Sequence, residues 1–203
     1  MPKIDAYEGI IFDYGGVLVH HQTAEDQTRM ADILGIPIPS FNQLYWSDLR
    51  LVYDKGLLSA KEYWQAVAAA GQSALNEAQI DELTELDVVS WMHYDESMWE
   101  WIGALRAAGK RLAMLSNMPR DLGEALRHRT RRFDSFDHVT LSYELKAAKP
   151  EAVIYQDCLA GLGTSAAQTL FLDDRQVNIE AAEKLGIHGR QFTSREEVLP
   201  ALI

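Results

Sequence analysis

Cysteine is nearly absent from this chain: Cys158 is the single one in 203 residues, so no intrachain disulfide can form and a reducing compartment is the natural expectation. Long apolar runs are missing too. Ile10 to Phe12 is cut off at Asp13, far short of a membrane span or the apolar stretch of a secretory signal, and a cytoplasmic protein is expected. Positive charge is scarce, with 19 Lys and Arg against 30 Asp and Glu and a formal net charge of −11, which repels nucleic-acid phosphates. The one basic run, Arg127, His128, Arg129, Arg131 and Arg132, reads as a solvated loop or helix end. What the chain has is 47% hydrophobic and 24% charged residues, the balance of a folded domain with a packed core.

The hydrophobic pattern divides the chain in two. Glu8 to Asp13 reads as a short buried strand, followed by Gly15–Gly16. From about Thr23 to Trp91 the pattern is helical throughout. Thr23 is a helix cap, with Gly35 at that helix's end and Pro37 and Pro39 in the turn beyond it. Ser59 followed by Glu62 has the spacing of a capping box, and Asn76 opens another helix. After Trp91 helices and strands alternate. Met98, Trp101, Ile102 and Leu105 share one helical face that stops at Gly109. Strands are expected at Arg111–Leu115, His138–Leu141, Thr169–Leu172 and Ile187–Phe192, with helices over Asp121–Arg127 and Val177–Leu185 and a further helix starting at Pro150 and closing at Gly161. This alternation predicts an α/β fold, a doubly wound parallel sheet with helices on both faces. The helical block needs its own apolar contacts, so residues 20–92 are expected to form an inserted α-helical cap on a Rossmann-like core of residues 1–19 and 93–203. The stretch from Gly161 to Ala166 mimics a dinucleotide fingerprint, but it follows a helix and precedes a strand, the reverse of the required context, and is read as a loop.

Polar residues cluster just after four of the expected strands: Asp13, Ser116–Asn117, Lys149 and Asp173–Asp174. Open parallel sheets bind ligands at the carboxyl ends of their strands, so these distant segments should meet at one site. Three crowded carboxylates repel unless they share a proton or a divalent cation, and oxygen ligands suit Mg²⁺. With a lysine and a hydroxyl beside them, the set suits phosphoryl transfer, Asp13 attacking in line and Gly15–Gly16 letting the backbone approach the phosphoryl oxygens.

The segments FDYGGVL, LSN, AKPEAVIY and FLDDRQVNIEAA resemble, in this order, the four motifs of the haloacid dehalogenase-like (HAD) hydrolase superfamily, and the helical block resembles the cap of its first subfamily. The nearest likeness is to sugar-phosphate phosphatases with a D-x-G-N-V first motif. The resemblance implies a Mg²⁺-dependent phosphatase acting on a small phosphorylated metabolite, with Asp13 as nucleophile and metal ligand. The Gly15 carbonyl and Asp174 are implied as further metal ligands, with Asp173 acting directly or through water. Asp13, Ser116 and Lys149 are the implied catalytic residues, and Tyr14, Gly15, Gly16, Ser116, Asn117 and Lys149 the implied substrate-binding ones.

One position departs from the resemblance. Phosphatases of this kind carry a second aspartate two residues after the nucleophile as general acid and base, and this chain has Gly15 there. An acid of that sort contributes about 10²- to 10⁴-fold. His20 and His21 are candidate replacements, or else the leaving group departs without help. The departure keeps two alternatives open: a 2-haloacid dehalogenase, against which the Asp173–Asp174 pair speaks, and a weakly active or non-catalytic binding module. Substrate identity and oligomeric state are not written in the motifs.

Overall fold

The computed structural model describes residues 3–202. Five short strands, β1 (Gly9–Phe12), β2 (Arg111–Ser116), β3 (His138–Leu141), β4 (Thr169–Asp173) and β5 (His188–Gln191), form one parallel sheet in the order β3-β2-β1-β4-β5. Side chains on a strand alternate between faces. Ile10, Phe12, Leu112, Met114, Leu170 and Leu172 therefore feed one core, and Ile11, Ala113, Leu115 and Phe171 another. This two-sided burial is why the strands read as unbroken apolar runs rather than alternating ones.

Of the six helices between β1 and β2, the first five form a unit: α1 (Ala24–Leu34), α2 (Ile38–Tyr45), α3 (Asp48–Asp54), α4 (Ala60–Ala70) and α5 (Glu77–Ser90). Capping boxes at Thr23, Ser59 and Asn76 start α1, α4 and α5, and a left-handed Gly35 stops α1. The five share a core of their own, built on Met30, Phe41, Tyr45, Tyr63, Trp64 and Leu83. The remaining helices cover the sheet. α6 (Glu96–Ala107) and α7 (Arg120–Arg129) pack on the Phe12 face. After the short α8 (Ser142–Leu145), α9 (Ala152–Leu162) and α10 (Gln176–Glu183) pack on the Ile11 face, and α11 (Arg195–Leu202) follows β5. No helix among the described residues is long and apolar enough to cross a membrane.

Several local expectations need correction. Pro39 is not in the turn before α2 but in its first turn, where a missing N–H costs nothing. Pro150 precedes α9 rather than opening it: the N-cap is Glu151. Gly161 lies inside α9, its bare Cα facing the His138 ring, and the helix ends at the left-handed Gly163. The basic run lies where expected, at the end of α7 and just beyond it, with Arg127, Arg129, Arg131 and Arg132 paired to Glu144, Glu85, Asp134 and Glu96. Cys158 is enclosed in the Ile11-face core, where burial pushes its thiol up to about 12.

Candidate active site

Three central strands deliver the polar residues to one place. Asp13 follows β1, the middle strand, and its N–H donates to Leu172 O at 2.8 Å, which fixes it beside the end of β4. Ser116 ends β2 and Asp173 ends β4. Lys149, which follows α8, is held by a reciprocal pair: its N–H donates to Asn117 Oδ1 at 2.8 Å and its carbonyl accepts from Asn117 Nδ2 at 3.0 Å. The Asn117 side chain is thus a clamp on the lysine loop.

Lys149 Nζ lies 2.7 Å from Asp13 Oδ1 and 2.7 Å from Asp173 Oδ2, and all three residues are buried. Asp13 Oδ1 also accepts the Tyr14 N–H at 2.7 Å. Asp173 accepts from Asn178 Nδ2 through both oxygens, at 2.9 and 3.0 Å, and from the Arg175 N–H at 2.8 Å. Asp174 is more open and sits 3.4 Å from His21 Nε2. One carboxylate oxygen from each of Asp13, Asp173 and Asp174 falls within 4.8 Å of the others. Three carboxylates therefore face a single ammonium. Burial pushes the Asp13 carboxyl up to about 8, with Lys149 opposing and Asp173 adding to the shift. Burial pulls the Lys149 ammonium down, but Asp13 and Asp173 outweigh it and leave its pKa above the ordinary value. The clustering itself leaves an excess of negative charge, three carboxylates to one ammonium, that a bound cation would relieve.

Asp13, Lys149, Asp174 and Asn178, but not the enclosed Asp173, line a cavity of about 280 Å³ whose other wall comes from the five-helix unit. Among the expected site residues, Asp13, Tyr14, Gly15, Ser116, Asn117, Lys149 and Asp174 border it. Ser116 Oγ and the Gly15 and Asn117 N–H groups have no hydrogen-bond partner among the described residues, so they are available to a ligand. Two expected contributors are engaged elsewhere. The Gly16 N–H donates to Val19 O at 2.9 Å, closing the turn after Asp13, and the Tyr14 phenol turns into the core to donate to Trp91 O at 2.8 Å. Of the two candidate histidines, His21 borders the cavity and His20 does not.

Sequence reasoning missed three contributors. Asn178 fixes Asp173 from the first turn of α10, and its spacing after the acidic pair is the signal that points to it. Trp91 lies against Gly15, and Arg50 borders the cavity while paired to Asp54 and Asp87; nothing local marks either.

Comparison with known proteins gives a consistent picture. The chain is 26% identical, over 187 residues, to sesquiterpene phosphatase astK of Aspergillus oryzae, a match that covers 92% of this chain and 90% of that one. A HAD-like family hydrolase of Porphyromonas gingivalis superposes with a TM-score of 0.77 at 24% identity, covering 97% and 96% of the two chains. A HAD family enzyme of Bacteroides thetaiotaomicron, solved with magnesium and inorganic phosphate, gives 0.75 at 22% identity over 97% and 100%. L-2-haloacid dehalogenase of Xanthobacter autotrophicus, with chloropropionic acid covalently bound, gives 0.68 at 18% over 94% and 80%. Residues 7–186 match the family model described as haloacid dehalogenase-like hydrolase, and on that match the chain belongs to the haloacid dehalogenase-like hydrolase family.

Proposed function

We propose that this chain is a Mg²⁺-dependent phosphomonoesterase acting on a small phosphorylated metabolite through a phosphoryl group carried by Asp13. The observation that supports it best is the asymmetry of the Asp13 carboxylate. Oδ1 is held by Lys149 and by the Tyr14 N–H, while no hydrogen bond reaches Oδ2 among the described residues. One oxygen is anchored and the other is free to react.

The donor set fits a hard divalent cation: clustered carboxylates with a neighbouring backbone carbonyl and too little positive charge. Asp13, Asp174 and the Gly15 carbonyl would hold Mg²⁺, with Asp173 turned instead toward Lys149 and Asn178. When bound, the ion supplies positive charge to the phosphoryl oxygens. The chain's own residues do the rest. Ser116 Oγ and the free N–H groups of Gly15 and Asn117 bind the phosphoryl oxygens, and Lys149 balances the charge that gathers on them. Asp13 forms a bond to phosphorus as the ester P–O bond breaks, and the departing alkoxide takes a proton from water. Water then attacks phosphorus, releasing inorganic phosphate and restoring the carboxylate. Residues 20–92 serve as the cap that shapes the leaving-group side of the cavity.

The phosphatase named among the relatives supports this chemistry. The likeness of the first motif supports a sugar phosphate as the narrower form. A dehalogenase is the second reading, favoured by the fold shared with the Xanthobacter enzyme. Against it stands the cluster of Asp13, Asp173 and Asp174, whose excess negative charge calls for a cation that metal-independent dehalogenation does not use. A panel of phosphorylated metabolites, assayed for phosphate release with Mg²⁺ and again with EDTA, tests the proposal. Release that requires Mg²⁺ is expected. Halide release from a 2-haloacid, unaffected by EDTA, would reverse the order of the two readings.

A further inference from the structure

The cavity's cap side is built from Trp46 and Ser47, which join α2 to α3, from α3 itself, and from His21 and Trp91. Its polar groups are largely engaged with one another. Arg50 donates through Nε to Asp54 Oδ1 at 2.9 Å and through Nη1 to Asp87 Oδ2 at 2.9 Å, and its guanidinium lies 4.6 Å from the centre of the Tyr45 ring. Asp87 also accepts from the Tyr45 hydroxyl. Ser47 Oγ donates to Leu44 O at 2.7 Å. Asp48 and Arg175 stand exposed at the rim, where water solvates them without a ligand.

What the cap side leaves open is apolar. Trp46 is 54% exposed and Leu51 is 38% exposed, and both border the cavity. Trp46 meets Trp91 edge to face, centroids 6.0 Å apart, and Trp91 lies against Gly15. An unbroken aromatic wall thus runs from the rim to the residue two past Asp13. Met118, Leu122 and Pro150 line the cavity as well. A buried hydroxyl needs a partner; the Trp91 N–H is already given to the Tyr45 hydroxyl, and apart from the single Trp46 N–H these side chains offer none. An exposed indole at the mouth of a cleft leading to a reactive carboxylate marks a place where an apolar ligand is covered.

We propose that the substrate is the phosphomonoester of an apolar alcohol, whose hydrocarbon part lies along Trp91 and Trp46 with Leu51 closing over it. The proposal rests on the phosphomonoesterase reading and names the substrate class for that same site.

The test is phosphate release, with Mg²⁺, from n-alkyl monophosphates of increasing length. Their leaving oxygens have nearly equal basicity, so a trend reports burial and not chemistry. kcat/KM rises by about fourfold per added methylene until the cavity is full, and hexyl phosphate outruns glucose 6-phosphate. In Trp46→Ala and in Leu51→Asn the rise per methylene is smaller. The slope is read within each variant, so a general loss of activity cannot imitate it. Acetyl phosphate, small and activated, serves as the control in the unsubstituted protein. If acetyl phosphate is hydrolysed while the alkyl series is flat, or a hexose phosphate is preferred, or Trp46→Ala keeps the full slope, the apolar substrate class is overturned and the phosphatase reading stands. If acetyl phosphate is not hydrolysed either, the phosphatase reading falls and takes this proposal with it.

Discussion

A Cβ placed on Gly15 would lie 3.0 Å from Cζ3 of Trp91, so the indole of the residue that follows α5 occupies the space a side chain at position 15 would need. The ring cannot move freely, because its Nε1 donates to the Tyr45 hydroxyl at 3.0 Å and the Trp91 carbonyl accepts from Tyr14. The glycine and the tryptophan are two halves of one packing arrangement. The missing acid is therefore not a simple loss: its place has been filled. Gly15→Ala should destabilise the protein by about 1–3 kcal/mol, the usual range for overpacking, and Trp91→Leu should recover part of that loss in urea unfolding. Gly15→Asp alone should not raise the rate of alkyl phosphate hydrolysis. Combined with Trp91→Ala it should raise it by about tenfold or more.

The two aspartates at the end of β4 should behave differently. Asp173 is fully buried with both oxygens engaged by Lys149 and Asn178, whereas Asp174 faces the cavity. Titration calorimetry should find that Asp174→Asn weakens Mg²⁺ binding by about tenfold or more, and Asp173→Asn by less. Asp173→Asn should instead lower stability, because it removes one of the two carboxylates that hold the buried Lys149 ammonium.

Much of this site was legible in the sequence, for a physical reason. In a parallel sheet the strands are short apolar runs, and whatever polar residue ends each run must lie at the same edge. The positions of Asp13, Ser116 and Asp173 at the ends of such runs therefore suffice to bring them together. The caps at Thr23, Ser59 and Asn76 were legible because a side chain bonding a backbone N–H three residues on is a local event. Contacts between distant residues leave no such trace. Trp91 against Gly15, and Tyr45 and Arg50 on Asp87, are side chains brought together only by how the helices pack. Pro39 and Pro150 misled for a related reason: proline marks the neighbourhood of a helix start without fixing which residue is first.

The Arg50 network should be costly to break from one side. Arg50, Asp54 and Asp87 are all buried, and Asp87 is shared with Tyr45. Arg50→Met leaves two buried carboxylates without their cation. Removing one partner of such a pair costs about 3–5 kcal/mol, and urea unfolding of the variant should show a loss of that size.

A pH effect should come from Asp26. Burial pushes its carboxyl up, but hydrogen bonds from Thr23 and from His93, the latter at 2.8 Å, outweigh this and leave its pKa below the usual aspartate value. The folded state then binds fewer protons than the unfolded one around the unfolded pKa of about 3.9. The stabilisation is complete above that pH and is lost as pH falls through the lower folded value. Melting temperatures of the unsubstituted protein and of Asp26→Asn should differ at pH 6 and converge in strong acid.

The central claim is that Asp13 carries the phosphoryl group during turnover. Mass spectrometry of the protein quenched in acid while hydrolysing acetyl phosphate with Mg²⁺ tests it directly. A phosphoryl adduct is expected on the peptide containing Asp13, absent when Mg²⁺ is withheld and absent in Asp13→Asn, whose turnover falls below about a thousandth. Undiminished phosphate release by Asp13→Asn, or an adduct on a peptide that lacks Asp13, would contradict it.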